Sequence, residues 1–317
     1  MSTKTENYDV LIAGQGAAAF AAGLYAARYQ MKSIIIGETF GGETATGGLI
    51  ENYPGYADID GFDLMMKFRE QVASYDVPIL DDKVTTVTKN ANDFKIETES
   101  GKMYYANSVI LGIGRERRKL GLQHEDELTG KGVSFCSTCD APLHRDNIVA
   151  IVGGGNAAIE GAVLLSKYAT KVYLIYRRSE FTRPEPVNIK LLNESKNIIQ
   201  LLNTNVTSLI GEDGLSQISI DEPHNNATNL DVDGLFIEIG ADPRIEIPKQ
   251  LNIKLNEKNE VIVNNEMETN VEGVLAAGDL TDASGDLKQT ITAAAQGAIA
   301  AKSAYAYVSN KKVESQS

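Results

Sequence analysis

Two cysteines stand three residues apart in Cys136-Ser137-Thr138-Cys139-Asp140, and they are the only cysteines in the chain. At that spacing two sulfurs can close a small disulfide ring and reopen it, which is redox chemistry. Two thiolates can also serve a metal, but a metal site needs about four ligands, and His124, His144 and His224 are scattered at spacings that match none. A buried structural pair is the third reading. Asp140, next to Cys139, can handle a proton at a sulfur atom or simply cap a helix. For the pair to cycle, electrons have to reach it, so the rest of the chain is read for a source.

Two glycine turns offer one. Tyr8 to Ala13 is an apolar, β-branched run. Gly14-Gln15-Gly16-Ala17-Ala18-Ala19 follows, then a helix-forming stretch to about Tyr29 and a second apolar strand, Ser33 to Ile36. A G-x-G-x-x-A pattern between strand and helix is the context of a dinucleotide turn. Gly14 permits the tight turn, Gly16 lets a pyrophosphate approach, and Ala19 keeps helix and strand close. Glu38, 24 residues after Gly14, stands where an acid reads a ribose hydroxyl.

The same phrase returns at a constant offset of 139 residues. Ile148 to Val152 is a strand, Gly153-Gly154-Gly155-Asn156-Ala157-Ala158 the turn, then a helical pattern to about Tyr168 and a strand from Lys171 to Ile175. Two such units at equivalent positions are an internal repeat. After the second unit the acid is replaced by Tyr176-Arg177-Arg178, with Arg183 beyond, a cationic cluster suited to a 2′-phosphate and therefore to NADPH.

These units need a scaffold. The expected fold class is α/β, two Rossmann-like nucleotide-binding domains of three layers each, one inserted in the other. The expected limits are 1–117 with 246–317 for the outer domain and 118–245 for the inserted one. Short strands are expected at Val84 to Val87, Phe94 to Glu97, Met103 to Ala106 and Val109 to Gly114, the last leading to a charged crossing at Arg115 to Lys119. A mirrored crossing lies near Gly240 to Arg244. Val261 to Val263 and Val274 to Asp279 read as strands. An Ala-rich helix spans Ile291 to about Tyr307, interrupted by Gly297 for close packing, with disorder from about Asn310.

The chain has 317 residues, 43% of them apolar, and a net charge of −13, an ordinary composition for a soluble two-domain protein. The negative charge argues against nucleic acid as a partner. No stretch is apolar enough to span a membrane, the start is polar, and two cysteines in a chain this long point to a reducing, cytoplasmic setting.

Taken together, the first G-x-G-x-x-A, Gly41-Gly42, Glu51-Asn52-Tyr53-Pro54-Gly55, the Cys-x-x-Cys-Asp segment, the second turn with Arg177 and Arg178, and Ala277-Gly278-Asp279 resemble the low-molecular-weight thioredoxin reductases, flavoprotein disulfide reductases, over nearly the full length. The resemblance implies FAD in the outer domain, on Gly14, Gly16, Ala17, Ala18, Ala19, Glu38, Gly42, Glu43, Asn52, Val84, Gly114, Gly278, Asp279, Lys288, Gln289 and Thr290. It implies NADPH in the inserted domain, on Gly153, Gly155, Asn156, Ala157, Ala158, Tyr176, Arg177, Arg178 and Arg183. It gives Cys139 the flavin, Cys136 the attack on the disulfide of thioredoxin or a thioredoxin-like protein, and Asp140 the proton. A homodimer is implied, and so is a hinge at the two crossings, because the Cys pair and NADPH share one domain and one flavin. The chain departs from the family in having Tyr176 where His is usual, four residues rather than fewer between Arg178 and Arg183, and Glu43 in place of Gln. The alternative readings are a relative that draws electrons from NADH or ferredoxin, a dithiol oxidase using oxygen, or a flavin-binding regulatory protein.

Overall fold

The computed structural model describes residues 7–46, 48–182, 184–285 and 287–314. They form two compact units, one from the chain up to Glu116 and again from Pro243 onward, the other Arg117–Asp242. Each unit is a Rossmann-like α/β domain whose core sheet is largely parallel. Where the chain passes between the units, Arg115–Arg117 and Ala241–Pro243 pair as a two-stranded ribbon.

In the first unit Asn7–Ala13 lies inside a seven-stranded sheet, parallel to Ser33–Gly37 on one side and to Met103–Leu111 on the other. Val10, Leu11, Ile12 and Ala13 are fully buried, as a strand covered on both faces requires. Ile79–Asp81 extends the sheet in parallel, and Phe94–Thr98 with Val84–Lys89 completes it antiparallel. The two strands expected around residues 103–114 are one, Met103–Leu111. Asn107 and Ser108 interrupt the apolar run without ending the strand, because the buried Ser108 hydroxyl donates to the Gly273 carbonyl at 2.9 Å. What changes at that point is the neighbour. Residues 103–106 pair with 94–97, and residues 109–111 pair with Val274–Ala276. The strand expected at 261–263 is likewise absent: Val261 makes only isolated bridges, to Leu255 and Thr281. The last sheet strand ends at Ala276, and Gly278–Leu280 is a 3₁₀ turn.

The C-terminal helix is longer than its composition suggests, Thr290–Glu314. Polar residues after Tyr307 do not fray it because they find partners. Val308 is buried, Lys311 Nζ donates to the Asn92 carbonyl, and Lys312 pairs with Asp9 at 2.8 Å. Earlier in the helix Ala300, Ala301 and Ala304 pack on Ala17, Ala18, Ala22 and Ala26 of the helix Ala17–Arg28. Small side chains bring the two backbones together, and Gly297 marks the closest approach: a Cβ there would lie 2.0 Å from the Ala18 carbonyl oxygen. Gly297→Ala is therefore expected to destabilise the unit by about 3 kcal/mol, an overpacking cost, and to lower its melting temperature by roughly 10 °C. Thermal unfolding checks this, and an unchanged midpoint refutes it.

The second unit repeats the design. Its five-stranded parallel sheet runs in the order Val133–Ser134, Gly234–Ile237, Ile148–Val152, Lys171–Tyr176, Ile198–Leu202. A three-stranded antiparallel sheet, Val206–Ile210, Gln217–His224 and Ala227–Asp231, packs its apolar side chains against this core. The repeat holds down to the register. Val10 faces Ser33 and Ala13 faces Ile36; 139 residues on, Val149 faces Val172 and Val152 faces Ile175.

Candidate active site

The two turns have the same geometry. Gly14 and Gly153 both take positive φ, 114° and 150°, and a Cβ on either would strike a carbonyl oxygen 2.2 Å away, of Gly112 and Glu238 respectively. Gly16 and Gly155 are the extended residues before the helices, and neither helix start has a side-chain cap. A Cβ on Gly16 or Gly155 would meet nothing within 4 Å. Each turn therefore presents open space beside uncapped helix amides, and these residues fit a pyrophosphate.

Of the residues expected for the flavin, Gly42 and Gly278 lie against the first turn and its helix, and others meet one another. Gly42 lies 3.5 Å from Gly16 and Gly278 lies 3.1 Å from Ala18, both measured from an added Cβ. The hydroxyls of Thr44 and Thr290 are 3.0 Å apart, and Asn52 Nδ2 donates to Gln289 Oε1 at 3.1 Å. Gly278 N donates to the buried Gln296 at 2.7 Å, which ties the 3₁₀ turn to the C-terminal helix. Burial pushes the Asp279 carboxyl above its usual range, against the pull of Arg115 and Lys288, and the nearby Glu43 adds to the rise. Lys288 and Arg115 share the buried Glu260, at 3.1 and 2.6 Å. Gly114, at φ 64°, accepts from the Arg244 amide.

Glu38 follows the second strand as expected, and its carboxylate meets Arg244 and, at 3.3 Å, Lys83, the neighbour of Val84. Burial works to raise this carboxyl, but Arg244 and Lys83 outweigh it and hold Glu38 below its ordinary value. Gln15 has a role the sequence did not disclose. It is 2% exposed, and its Nε2 lies within 2.8–3.1 Å of the Gly37 and Leu80 carbonyls and Asp81 Oδ1. It thus sews the turn to the ends of two neighbouring strands, just before Glu38. Nothing in a lone Gln between glycines, or in a lone Arg after Pro243, announces such contacts; both depend on strands distant in sequence.

Around the second turn, Tyr176 packs against Gly154. It is 9% exposed, its hydroxyl is 2.5 Å from the Thr182 hydroxyl, and a Cβ on Gly154 would fall 2.3 Å from its ring. Asn156 uses its side chain to accept from the Glu185 amide at 2.8 Å and from Asn188 at 3.2 Å, which holds the segment after the arginines. Ala157 and Ala158 begin the helix Asn156–Leu165, which ends three residues short of Tyr168, with Tyr168 in the turn after it. Arg177 and Arg178 are exposed, and no described side chain pairs with either. Arg183 lies outside the described residues.

Cys136 and Cys139 form a disulfide with 5.3 Å between their Cα atoms. Cys136 precedes the short helix Ser137–Asp140, and its sulfur accepts the Cys139 amide at 3.1 Å. The Ser134 hydroxyl accepts the Cys136 amide at 3.0 Å. Cys136 is half-buried and Cys139 exposed. The Asp140 side chain makes no cap bond to the turn that follows it, so the capping role is not the one it plays here. His144, packed edge-on against Phe236, is held below its ordinary pKa by burial, against Asp140 and Asp233. Among the described residues no cluster of three or more His, Cys, Asp or Glu could hold a metal, and no helix is long and apolar enough to cross a membrane.

Two uncapped dinucleotide turns and a disulfide in one chain define a class. Residues 8–297 match the family of pyridine nucleotide-disulphide oxidoreductases, and the chain belongs to that family. It uses FAD and a pyridine nucleotide. Within the family it stands with the thioredoxin reductases. It is 36% identical to the thioredoxin reductase of Mycolicibacterium smegmatis over 304 residues, 95% of this chain and 96% of that one. It superposes on the thioredoxin reductase of Lactococcus lactis in its FR conformation with a TM-score of 0.87 at 30% identity, covering 96% of this chain and 99% of that one. It is also 32% identical to a ferredoxin-flavin thioredoxin reductase from Clostridium acetobutylicum, with a TM-score of 0.54 over 98% of this chain and all of that one.

Proposed function

We propose that this chain is an NADPH-dependent thioredoxin reductase, working as a homodimer in the cytoplasm. The observation that carries the reading is the Cys136–Cys139 disulfide in the same unit as a dinucleotide turn flanked by Arg177 and Arg178, which are exposed and pair with no described side chain. FAD and NADPH, when bound, supply the hydride chemistry that delivers two electrons to the disulfide.

The chain's own residues do the rest. The Gly14–Ala19 and Gly153–Ala158 turns hold pyrophosphates, Glu38 and Asp279 accept hydroxyl hydrogens, and Arg177 and Arg178 take the 2′-phosphate. Reduction opens the Cys136–Cys139 bond and gives two thiols, with Asp140 passing the proton at sulfur. The Cys136 thiolate then attacks the disulfide of thioredoxin: a bond forms from Cys136 Sγ to one partner sulfur, and the other leaves as thiolate. The Cys139 thiolate attacks Cys136 Sγ, which restores the internal disulfide and releases the second partner thiolate.

Anaerobic titration of the flavin-loaded protein tests this. NADPH is expected to bleach the flavin band and to deliver about two hydride equivalents per chain, one for the flavin and one for the disulfide. The Clostridium acetobutylicum relative makes a ferredoxin-fed enzyme the second reading. Silence toward NADPH and NADH together with reduction by ferredoxin selects that reading, and rapid oxygen consumption with a dithiol selects an oxidase.

A further inference from the structure

Glu238 directly follows the strand Gly234–Ile237 in the second unit, and nothing in the reaction above uses it. Its side chain is only 12% exposed. Its amide donates to Val152 at 2.9 Å, and its carbonyl is the oxygen that a Cβ on Gly153 would strike. The backbone is thus pressed against the first glycine of the second turn. The carboxylate reaches two other elements. It accepts from the Ser137 amide at 3.4 Å and the Ser137 hydroxyl at 3.2 Å, and it pairs with Arg117 at 3.3 and 3.4 Å. Ser137 is the residue after Cys136, 6% exposed, and seated on Gly161, where a Cβ would lie 2.7 Å from its hydroxyl oxygen. Arg117 ends the connecting strand Arg115–Arg117. One sheltered carboxylate therefore ties together the nucleotide turn, the peptide beside Cys136 and the connecting strand.

We propose that Glu238, with Arg117 as its counter-ion, is a positioning residue of the redox pair: it anchors the Cys136–Ser137 peptide, and the two charges together set the reduction potential of Cys136–Cys139. The inference rests on reading the pair as redox-active. Reduction adds two electrons and two protons to the disulfide, and release of one proton leaves a thiolate beside Ser137. A carboxylate at that place disfavours the new negative charge, and a guanidinium favours it. Shelter from water keeps both effects from being screened out. Burial holds the Glu238 carboxyl above its ordinary range, against the downward pull of Arg117 and Ser137, so its charge depends on those partners.

The test equilibrates flavin-loaded protein with defined dithiothreitol buffers under anaerobic conditions. Free thiols are then trapped by alkylation and the Cys136–Cys139 pair is read by mass spectrometry. Glu238→Gln keeps an acceptor for Ser137 and removes the negative charge beside Arg117, and is expected to favour the dithiol about tenfold, a shift of ~30 mV to higher potential. Arg117→Gln leaves the carboxylate uncompensated and is expected to move the equilibrium about tenfold the other way. The double variant is expected to return within about threefold of the parent. Opposite signs are the signature of charge, since a merely structural role moves both variants alike or neither. Each variant tests the idea by its own sign, so a failure of one to fold leaves the others to decide. Shifts of the same sign, or none beyond about threefold, overturn the proposal. A parent pair that exchanges with no buffer overturns the redox reading itself.

Discussion

Cys136→Ser is expected to lose thioredoxin reduction by at least ~10³-fold while NADPH still reduces the flavin at an unchanged rate, because the variant removes the attacking sulfur and leaves both dinucleotide turns intact. Exposure alone would assign the two sulfurs the other way round, since Cys139 is the more open of the two. The hydrogen bonding argues for Cys136. Its sulfur accepts the Cys139 amide at 3.1 Å, and an N–H donor on sulfur favours the thiolate, the form that attacks. The partner variant sharpens the test. In Cys139→Ser the first exchange can still occur, but no second sulfur resolves it, so oxidised thioredoxin is expected to accumulate as a covalent adduct on Cys136. Non-reducing electrophoresis with peptide mapping reads this. Adduct on Cys139 in the Cys136→Ser variant, with none on Cys136 in the other, would reverse the assignment.

The parts of this molecule legible in the sequence are those written in local signals. A strand, a glycine turn and a helix can each be read within a few residues, and the offset between the two turns carries through to paired residues in the sheets. What stayed hidden is set by distant partners. The polar Asn107-Ser108 step reads as a strand end, and only Gly273 shows why it is not one. The C-terminal turn after Tyr307 looks frayed until Asn92 and Asp9 are placed beside its lysines. Arg244 and Gln15 hold the neighbourhood of Glu38 through contacts with residues 22 to 206 positions away, and no window on the sequence spans that. The Glu238–Arg117 pair is the same case, two charged residues 121 positions apart in regions of ordinary composition.

The nucleotide preference turns on the same contrast between local and distant contacts. Tyr176 stands where a family member usually has His, which by sequence alone weakens the case for NADPH. In the fold its ring is packed against Gly154 and its hydroxyl is engaged by Thr182, so it offers little to a phosphate. Arg177 and Arg178 are the groups left open, exposed on a chain whose net charge is −13. A hydrogen bond to a charged group contributes about 1.5–3 kcal/mol, so losing one from each arginine in Arg177→Ala with Arg178→Ala is expected to raise the KM for NADPH by roughly 10²–10⁴-fold. NADH lacks the 2′-phosphate, and its KM is expected to stay within about threefold. Tyr176→Phe separates the two contributions. It is expected to cost about 1 kcal/mol of stability through the lost hydroxyl contact and to leave the NADPH-to-NADH ratio where it was. Steady-state kinetics with both nucleotides, run alongside thermal unfolding, measures both variants. If the ratio survives loss of both arginines, the selectivity lies elsewhere. If it collapses in Tyr176→Phe, the tyrosine acts on the nucleotide through the turn that it supports.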